Sequence, residues 1–179
     1  VRLVGSVEAA NPVTDPLFGI ESTAIVLERR VQYWQWYEKI KTKRKRKKKK
    51  WKLKRKFSYR QVWSSSLINS KRFKEGAGHQ NPTTRPPFAS QTFKATQLRL
   101  GDFFVPLSTG SQFYESHARS LDESILPPNL RSQARRDGSW LCVTALESGY
   151  TPGDLRLSFV ERRLPRLTVI GRQRGNSIE

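Results

Sequence analysis

Few side chains in this sequence stand at the spacings that chemistry requires. One thiol, Cys142, and two imidazoles, His79 and His117, are the raw material for a thiolate nucleophile. Cys142 lies in Trp140-Leu141-Cys142-Val143, an apolar stretch of strand character where a free cysteine is expected to be a small, inert hydrophobe. One Cys and two widely separated His match no zinc spacing, and no EF-hand-like run of carboxylates occurs. Glu75-Gly76-Ala77-Gly78-His79 lacks the third glycine and the Lys-Ser/Thr of a phosphate-cradling loop. The sequence therefore assigns no catalytic residue, metal ligand or cofactor, and reads as non-enzymatic.

The basic residues say more. Between Lys39 and Lys56 there are 14 Lys and Arg and no acidic residue. The candidate anion-binding set is Lys43, Arg44, Lys45, Arg46, Lys47, Lys48, Lys49, Lys50, Trp51, Lys52, Lys54 and Arg55. In an extended chain Trp51, Leu53 and Phe57 share one face, and Lys50, Lys52, Lys54 and Lys56 the other. Ile40 between Lys39 and Lys41 repeats the pattern. A cationic face backed by aromatic side chains suits an anionic bilayer, where each Lys or Arg near the surface contributes about 1 kcal/mol and Trp prefers the interface. Three other readings compete: phosphate tracking along nucleic acid with Trp51 stacked on a base, a nuclear-import address, and a solvated loop held open by its own repulsion.

The segments that must position this run are strands. Glu21 to Tyr37 places Ile25, Leu27, Val31 and Tyr33 at even spacings, and Phe57, Tyr59 and Trp63 repeat at period two. Flanking the basic run, they predict a long antiparallel hairpin with the lysines at its tip, each strand gaining about eight residues, or roughly 26 Å. Further strands are expected at Thr92–Leu100, Trp140–Leu146, Asp154–Val160 and Leu167–Gln173. Phe113, His117 and Leu121, four apart, predict a short helix over Ser111–Leu121; shorter helical turns are expected within Trp63–Lys74 and Leu121–Ile125. The fold class is mainly β or α+β: a single antiparallel-β-rich domain over 1–179 with a projecting basic arm, 39–56.

Bulk composition agrees. The 179 residues suit one domain, with a core hiding roughly two-thirds of the unfolded surface. The net charge is +19, yet outside Lys39–Lys56 only 20 basic residues oppose 15 acidic ones. The excess charge is an insert in an otherwise ordinary surface. A single cysteine excludes an internal disulfide, and no apolar run approaches the roughly 18 residues of a membrane helix. No signal peptide opens the chain. Its start at Val1 and its lack of Met predict a processed form or a piece of a longer protein.

An ordered series of motifs then resembles a known family. Asp15-Pro16-Leu17-Phe18-Gly19-Ile20, Arg30-Val31-Gln32-Tyr33-Trp34-Gln35-Trp36, Tyr59 to Trp63 and Ile68-Asn69-Ser70-Lys71-Arg72-Phe73 come first. Gly78-His79-Gln80-Asn81-Pro82, Leu100-Gly101-Asp102-Phe103-Phe104, Gly153-Asp154-Leu155-Arg156-Leu157-Ser158-Phe159 and Val169 to Gly175 follow. Together they resemble the extramembrane domain of the LUMA-type family, transmembrane protein forty-three. The resemblance implies a multi-span membrane protein whose soluble domain faces the lumen of the endoplasmic reticulum and nuclear envelope. It also implies a scaffold for membrane-protein complexes, with partners such as emerin and lamins and no enzymatic activity. The family's equivalent hairpin is mixed or acidic in charge, so the Lys/Arg tip is peculiar to this sequence, and a lumenal arm would meet lipid or protein rather than chromatin.

The expected function is a non-enzymatic, membrane-associated scaffold without a cofactor. Its partners are other membrane proteins in a larger complex, with the arm on an anionic lipid surface or an acidic partner; nucleic acid is the alternative. Most family motifs read as turn and strand chemistry. His79 and Asn81, polar residues in a loop on a β frame, are the exception and form a candidate partner-binding loop.

Overall fold

The computed structural model describes residues 1–47, 50–84 and 86–179; of the predicted anion-binding residues, Lys48 and Lys49 lie outside the described residues. Strand accounts for 51% of the chain and helix for 7%, which settles the mainly β expectation. The principal sheet is organised on two long strands, Val26–Lys47 and Lys50–Ser64, paired antiparallel from Tyr33 opposite Ser64 out to Lys47 opposite Lys50. This is the predicted hairpin. Inward, Val26–Lys47 pairs with Leu155–Arg163 on one edge and with Gln91–Lys94 on the other. Leu155–Arg163 in turn pairs with Trp140–Val143 and, further along, with Glu115–Arg119; Ala134–Asp137 closes that side.

Strand alternation divides this sheet into a buried and an outer face. Leu27, Val31 and Tyr33, with Leu141, Leu157 and Phe159, point into the larger core. The hairpin Val13–Asp15/Ile20–Ser22 covers that core from the other side with Val13, Phe18 and Ile20. A second core, around Val26, Leu98, Leu100 and Ile178, lies under a smaller sheet. That sheet runs Gln173–Arg174, Ser177–Ile178, Phe103–Val105, Leu98–Leu100, Val7–Ala9. Each fully buried Leu or Val contributes about 1.5–3 kcal/mol relative to exposure, so the two cores anchor the platform from which the hairpin projects.

Several expected elements differ. Ser111–Leu121 is not a helix: a 3₁₀ turn at Ser111–Phe113 leads into a strand, Glu115–Arg119, with His117 opposite Glu161. A spacing of four fits strand alternation as well as it fits a helix, and the outer edge of Leu155–Arg163 takes a strand there. Thr92–Leu100 divides, because Ala95 donates to Ile25 at 2.9 Å and Gln97 accepts from Ala10 at 2.9 Å as the chain changes sheets. Leu167–Gln173 breaks after Ile170, where a side chain at Gly171 would meet the Glu179 carbonyl at 2.6 Å. Trp140–Leu146 stops at Val143, and the Asp154–Val160 strand runs on to Arg163. Helical turns in the other two segments shrink to 3₁₀ turns at Ser70–Arg72 and Glu123–Ile125.

Candidate functional site

The hairpin leaves the body as a two-stranded ribbon, its final contacts made at its root. There the 69–81 loop wraps the outer face: His79 stacks on Tyr59 at 4.1 Å and meets Trp36 edge-on at 4.7 Å. Tyr59 donates from its hydroxyl to Glu38 at 2.7 Å, and Glu38 also accepts from the Lys74 N–H at 2.6 Å. Asn81, 8% exposed, donates through Nδ2 to the carbonyls of Trp36 and Ile68 and accepts from the Trp36 N–H. The two predicted loop residues are thus brought together at the ribbon's base, Asn81 with its amide fully engaged within the chain.

Beyond Glu38 the ribbon runs free for about nine residues, roughly 30 Å at strand rise. Lys43, Arg44, Lys45 and Arg46 on the outgoing strand and Trp51, Lys52, Lys54 and Arg55 on the returning one are all exposed. Lys47 and Lys50 form the last paired position. Among the described residues no ion pair involves Lys39–Arg46 or Trp51–Lys56. The acidic residues nearby in sequence are committed elsewhere, Glu28 to Arg30 and Arg162, and Glu38 to Tyr59. Within the described residues, the positive field of the arm is consequently not neutralised by ion pairs with its own body.

The pairing shows something that sequence reasoning missed. Even-numbered side chains of the outgoing strand share the face of Trp34 and Trp36, and through pairs Arg46–Trp51, Arg44–Leu53, Thr42–Arg55 and Ile40–Phe57 they share it with odd-numbered residues of the returning strand. The lysines take the other face: Lys39, Lys41, Lys43 and Lys45 outgoing, and Lys52, Lys54 and Lys56 returning. Trp140 joins the first face too, because Cys142 pairs with Arg156 and Arg156 with Gln32. All five tryptophans of the chain therefore occupy one face of the principal sheet. The signal was present as the parity of residue numbers across the turn.

Over the body, this face is filled by cation–aromatic stacking. The Arg156 guanidinium lies between the rings of Trp63, at 4.6 Å, and Trp140, at 4.2 Å, while its Nε donates to Gln32 at 2.8 Å. Tyr150 packs on Trp63 at 4.7 Å and on Trp34 at 5.6 Å. Cys142 is fully buried beneath, 3.6 Å from the Tyr150 hydroxyl; burial pushes its thiol above the usual range, with that hydrogen bond pulling the other way. A nucleophile needs the opposite setting. His79 sits at the ribbon's root and His117 on an outer strand, 3.7 Å from Glu115, so neither imidazole partners the thiol. Among the described residues no three His, Cys, Asp or Glu side chains are grouped to hold a metal ion.

The fold and the site define a class of protein: an antiparallel β platform that carries one long cationic ribbon. Comparison with known proteins gives that class its family: the Transmembrane protein 43 family matches residues 33–179, and the chain belongs to it. It is similar to human transmembrane protein 43, with 31% identity over 190 residues covering 99% of this chain and 46% of the human protein. The mouse protein is 27% identical over the same coverage, and the Drosophila melanogaster homolog 30% identical over 184 residues, 99% of this chain and 47% of the fly protein. The chain spans about half the length of the curated relatives it matches. No solved structure matches it. The relatives are named as transmembrane proteins and not as an enzyme family, which supports membrane association. No helix among the described residues is long and apolar enough to cross a membrane.

Proposed function

We propose that this chain is the non-enzymatic scaffold domain of a membrane protein, organising membrane-protein complexes at the endoplasmic reticulum or nuclear envelope. The ribbon, Lys39–Phe57, docks on an anionic membrane surface or an acidic partner. One observation carries the reading: a cationic arm about 30 Å long, unpaired by the body that bears it, in a family of membrane proteins. Each basic side chain at an anionic surface contributes about 1 kcal/mol, so several acting together give firm, salt-sensitive attachment. The loop at the ribbon's root, His79 to Asn81, borders a cavity of about 450 Å³ lined by Ser70, Phe73, Gly76, Gln80 and Thr83 and offers a fixed surface to a protein partner.

The test is a variant in which residues 42–55 are replaced by Asn-Gly, a two-residue turn suited to closing the pair Lys41–Lys56. It is expected to unfold as cooperatively as the parent and to lose salt-sensitive sedimentation with phosphatidylserine-containing vesicles. Retained sedimentation would reject the arm's role.

A second reading has its own support: Trp51 is 69% exposed and paired with Arg46, an arrangement that could stack a base beside a phosphate. Filter binding of single-stranded RNA at two salt concentrations separates the two. Absence of binding at low salt eliminates the nucleic-acid reading.

A further inference from the structure

The ribbon's two faces differ in the kind of cation they carry. Arg44, Arg46 and Arg55 all lie with Ile40, Trp51, Leu53 and Phe57, and the opposite face carries lysine. Which pairs approach most closely also follows. The Trp34 N–H donates away from the returning strand, to the Asp154 carbonyl at 2.8 Å, so the even-numbered outgoing residues form the non-hydrogen-bonded pairs. In such pairs the Cα atoms stand only about 4.5 Å apart, bringing Arg46 beside Trp51 and Arg44 beside Leu53.

Arginine and lysine are not equivalent at a surface. The guanidinium is weakly hydrated and binds phosphate through two parallel donors, whereas the ammonium holds its water tightly. Arginine mixed with tryptophan and aliphatic side chains is the composition of a face that enters the headgroup layer, and an all-lysine face is one that remains hydrated. Trp51, Leu53 and Ile40 are 69%, 63% and 52% exposed. Nucleic acid would offer a stacking partner to Trp51 but nothing apolar to Leu53 and Ile40; the boundary between headgroups and acyl chains accommodates all three.

We propose that the ribbon lies flat on an anionic bilayer with its arginine–tryptophan face down. Trp51, Leu53 and Ile40 sink to the headgroup–acyl boundary, Arg44, Arg46 and Arg55 grip lipid phosphates, and the lysine face looks back into water. The proposal rests on the membrane-docking reading and adds the orientation and the residues that make contact.

Two charge-matched triple variants test it in the 179-residue chain, with vesicles of phosphatidylserine in phosphatidylcholine. R44Q/R46Q/R55Q and K43Q/K45Q/K54Q remove the same charge from opposite faces. Each contacting arginine is worth about a factor of five, so the arginine triple is expected to weaken partitioning roughly a hundredfold. The lysines stand off by about one Debye length, roughly 8 Å at physiological salt, and their loss is expected to cost about tenfold or less. Trp51 emission, taken as the difference between the parent and W51F, is expected to shift to the blue on vesicle binding, and W51S/L53S to weaken binding at unchanged charge. Equal losses from the two triples, with no shift at Trp51, would overturn the face assignment and leave membrane docking standing. A Trp51 response to polyuridylate but not to vesicles would also overturn it. A parent chain that ignores the vesicles altogether would remove both this proposal and the reading beneath it.

Discussion

The side chain of Asn81 occupies the place of a missing strand beside Trp36. Its Oδ1 accepts from the Trp36 N–H at 2.7 Å and its Nδ2 donates to the Trp36 carbonyl at 3.0 Å, the pair of bonds a neighbouring strand would supply. The site lies just past the end of Leu155–Arg163, whose pairing with the ribbon strand stops at Tyr33. Asn81 also donates through Nδ2 to the Ile68 carbonyl and through its own N–H to Ser70 Oγ at 2.9 Å, fastening the 65–81 loop to the ribbon's root.

Asn81→Ala removes the loop's fastening and strands three part-buried backbone groups, the Trp36 N–H and carbonyl and the Ile68 carbonyl. A fully buried orphan costs about 1–3 kcal/mol, and water reaches part-buried ones, so a total loss of about 2–4 kcal/mol is expected in urea unfolding. Hydrogen exchange at the Trp36 amide should accelerate well beyond that at Val31, whose N–H donates to Ser90 Oγ on a separate segment. Uniform acceleration across both sites would show that Asn81 does not fasten this root locally.

Asp15 and Arg29 form a buried ion pair with a comparable dependence on neighbours. Arg29 Nη1 reaches both Asp15 oxygens at 2.8 and 2.7 Å, Nε donates to the Ala89 carbonyl and Nη2 to Gln91, and the guanidinium lies over Phe18 at 5.4 Å and Phe93 at 5.7 Å. Burying two charges is costly in itself, so the pair adds little net stability but is expensive to break. Asp15→Ala is expected to cost about 3–5 kcal/mol through the unpaired Arg29. Adding Arg29→Met should recover much of that loss; a double variant no more stable than the single one would refute the account.

How much of this was legible beforehand depended on the range of the forces involved. The hairpin was legible because Ile25–Tyr33, Phe57–Trp63 and the alternation at Trp51–Phe57 are local patterns of period two. Asp15-Pro16 and Gly19 carry turn chemistry in the sequence itself, and Asp15 Oδ1 does accept from the Leu17 N–H at 2.9 Å. That the same carboxylate faces Arg29 on another strand was hidden, since it depends on how the hairpin folds over the sheet. The same applies to Ser111–Leu121, whose identity was decided by the open edge of Leu155–Arg163 and not by its own periodicity. The arginine–lysine division of the ribbon lay between these cases: it needed only the register, such as Trp34 opposite Trp63, which assigns every later pair to a face.

Acid stability should depend on Glu161 and Glu28. Glu161 accepts from Ser22 Oγ at 2.8 Å, Arg119 at 3.1 Å and Arg163 at 2.7 Å. Burial pushes its carboxyl upward, but the hydrogen bonds from Arg163 and Ser22 and the charges of Arg163 and Arg119 outweigh it, leaving the net direction downward. Glu28 is lowered chiefly by its hydrogen bond from Arg30, against burial and with help from Arg162. A carboxylate lowered on folding stabilises fully above its ordinary value, about 4.3 for glutamate, and loses that contribution as pH falls through the folded value. The urea midpoint should therefore decline as the pH drops below about 4, less steeply in Glu161→Gln. An equal decline in the parent and the variant would exclude Glu161 as a source.

Alkaline behaviour should centre on Tyr150, whose hydroxyl donates to Asp137 at 2.9 Å above the buried Cys142. Burial, then the hydrogen bonds with Cys142 and Asp137, push the phenol up to about 12. An acid raised on folding favours the protonated folded state, so its contribution is complete below the ordinary tyrosine value, about 10, and is lost as pH climbs toward the folded one. Tyr33 and Tyr59 are raised as well, so ultraviolet titration should show a late-ionising component that shrinks by one tyrosine in Tyr150→Phe. Tyr150 also covers the thiol, and Arg135 stacks on its ring at 4.7 Å. Iodoacetamide should leave Cys142 unmodified in the folded chain and react promptly once urea unfolds it. Tyr150→Ala should open the path, raising the native-state rate at least tenfold, about 1.4 kcal/mol in barrier. Rapid alkylation of the folded parent would mean that the thiol beneath the tryptophan face is accessible and ionised, contrary to the packing around it.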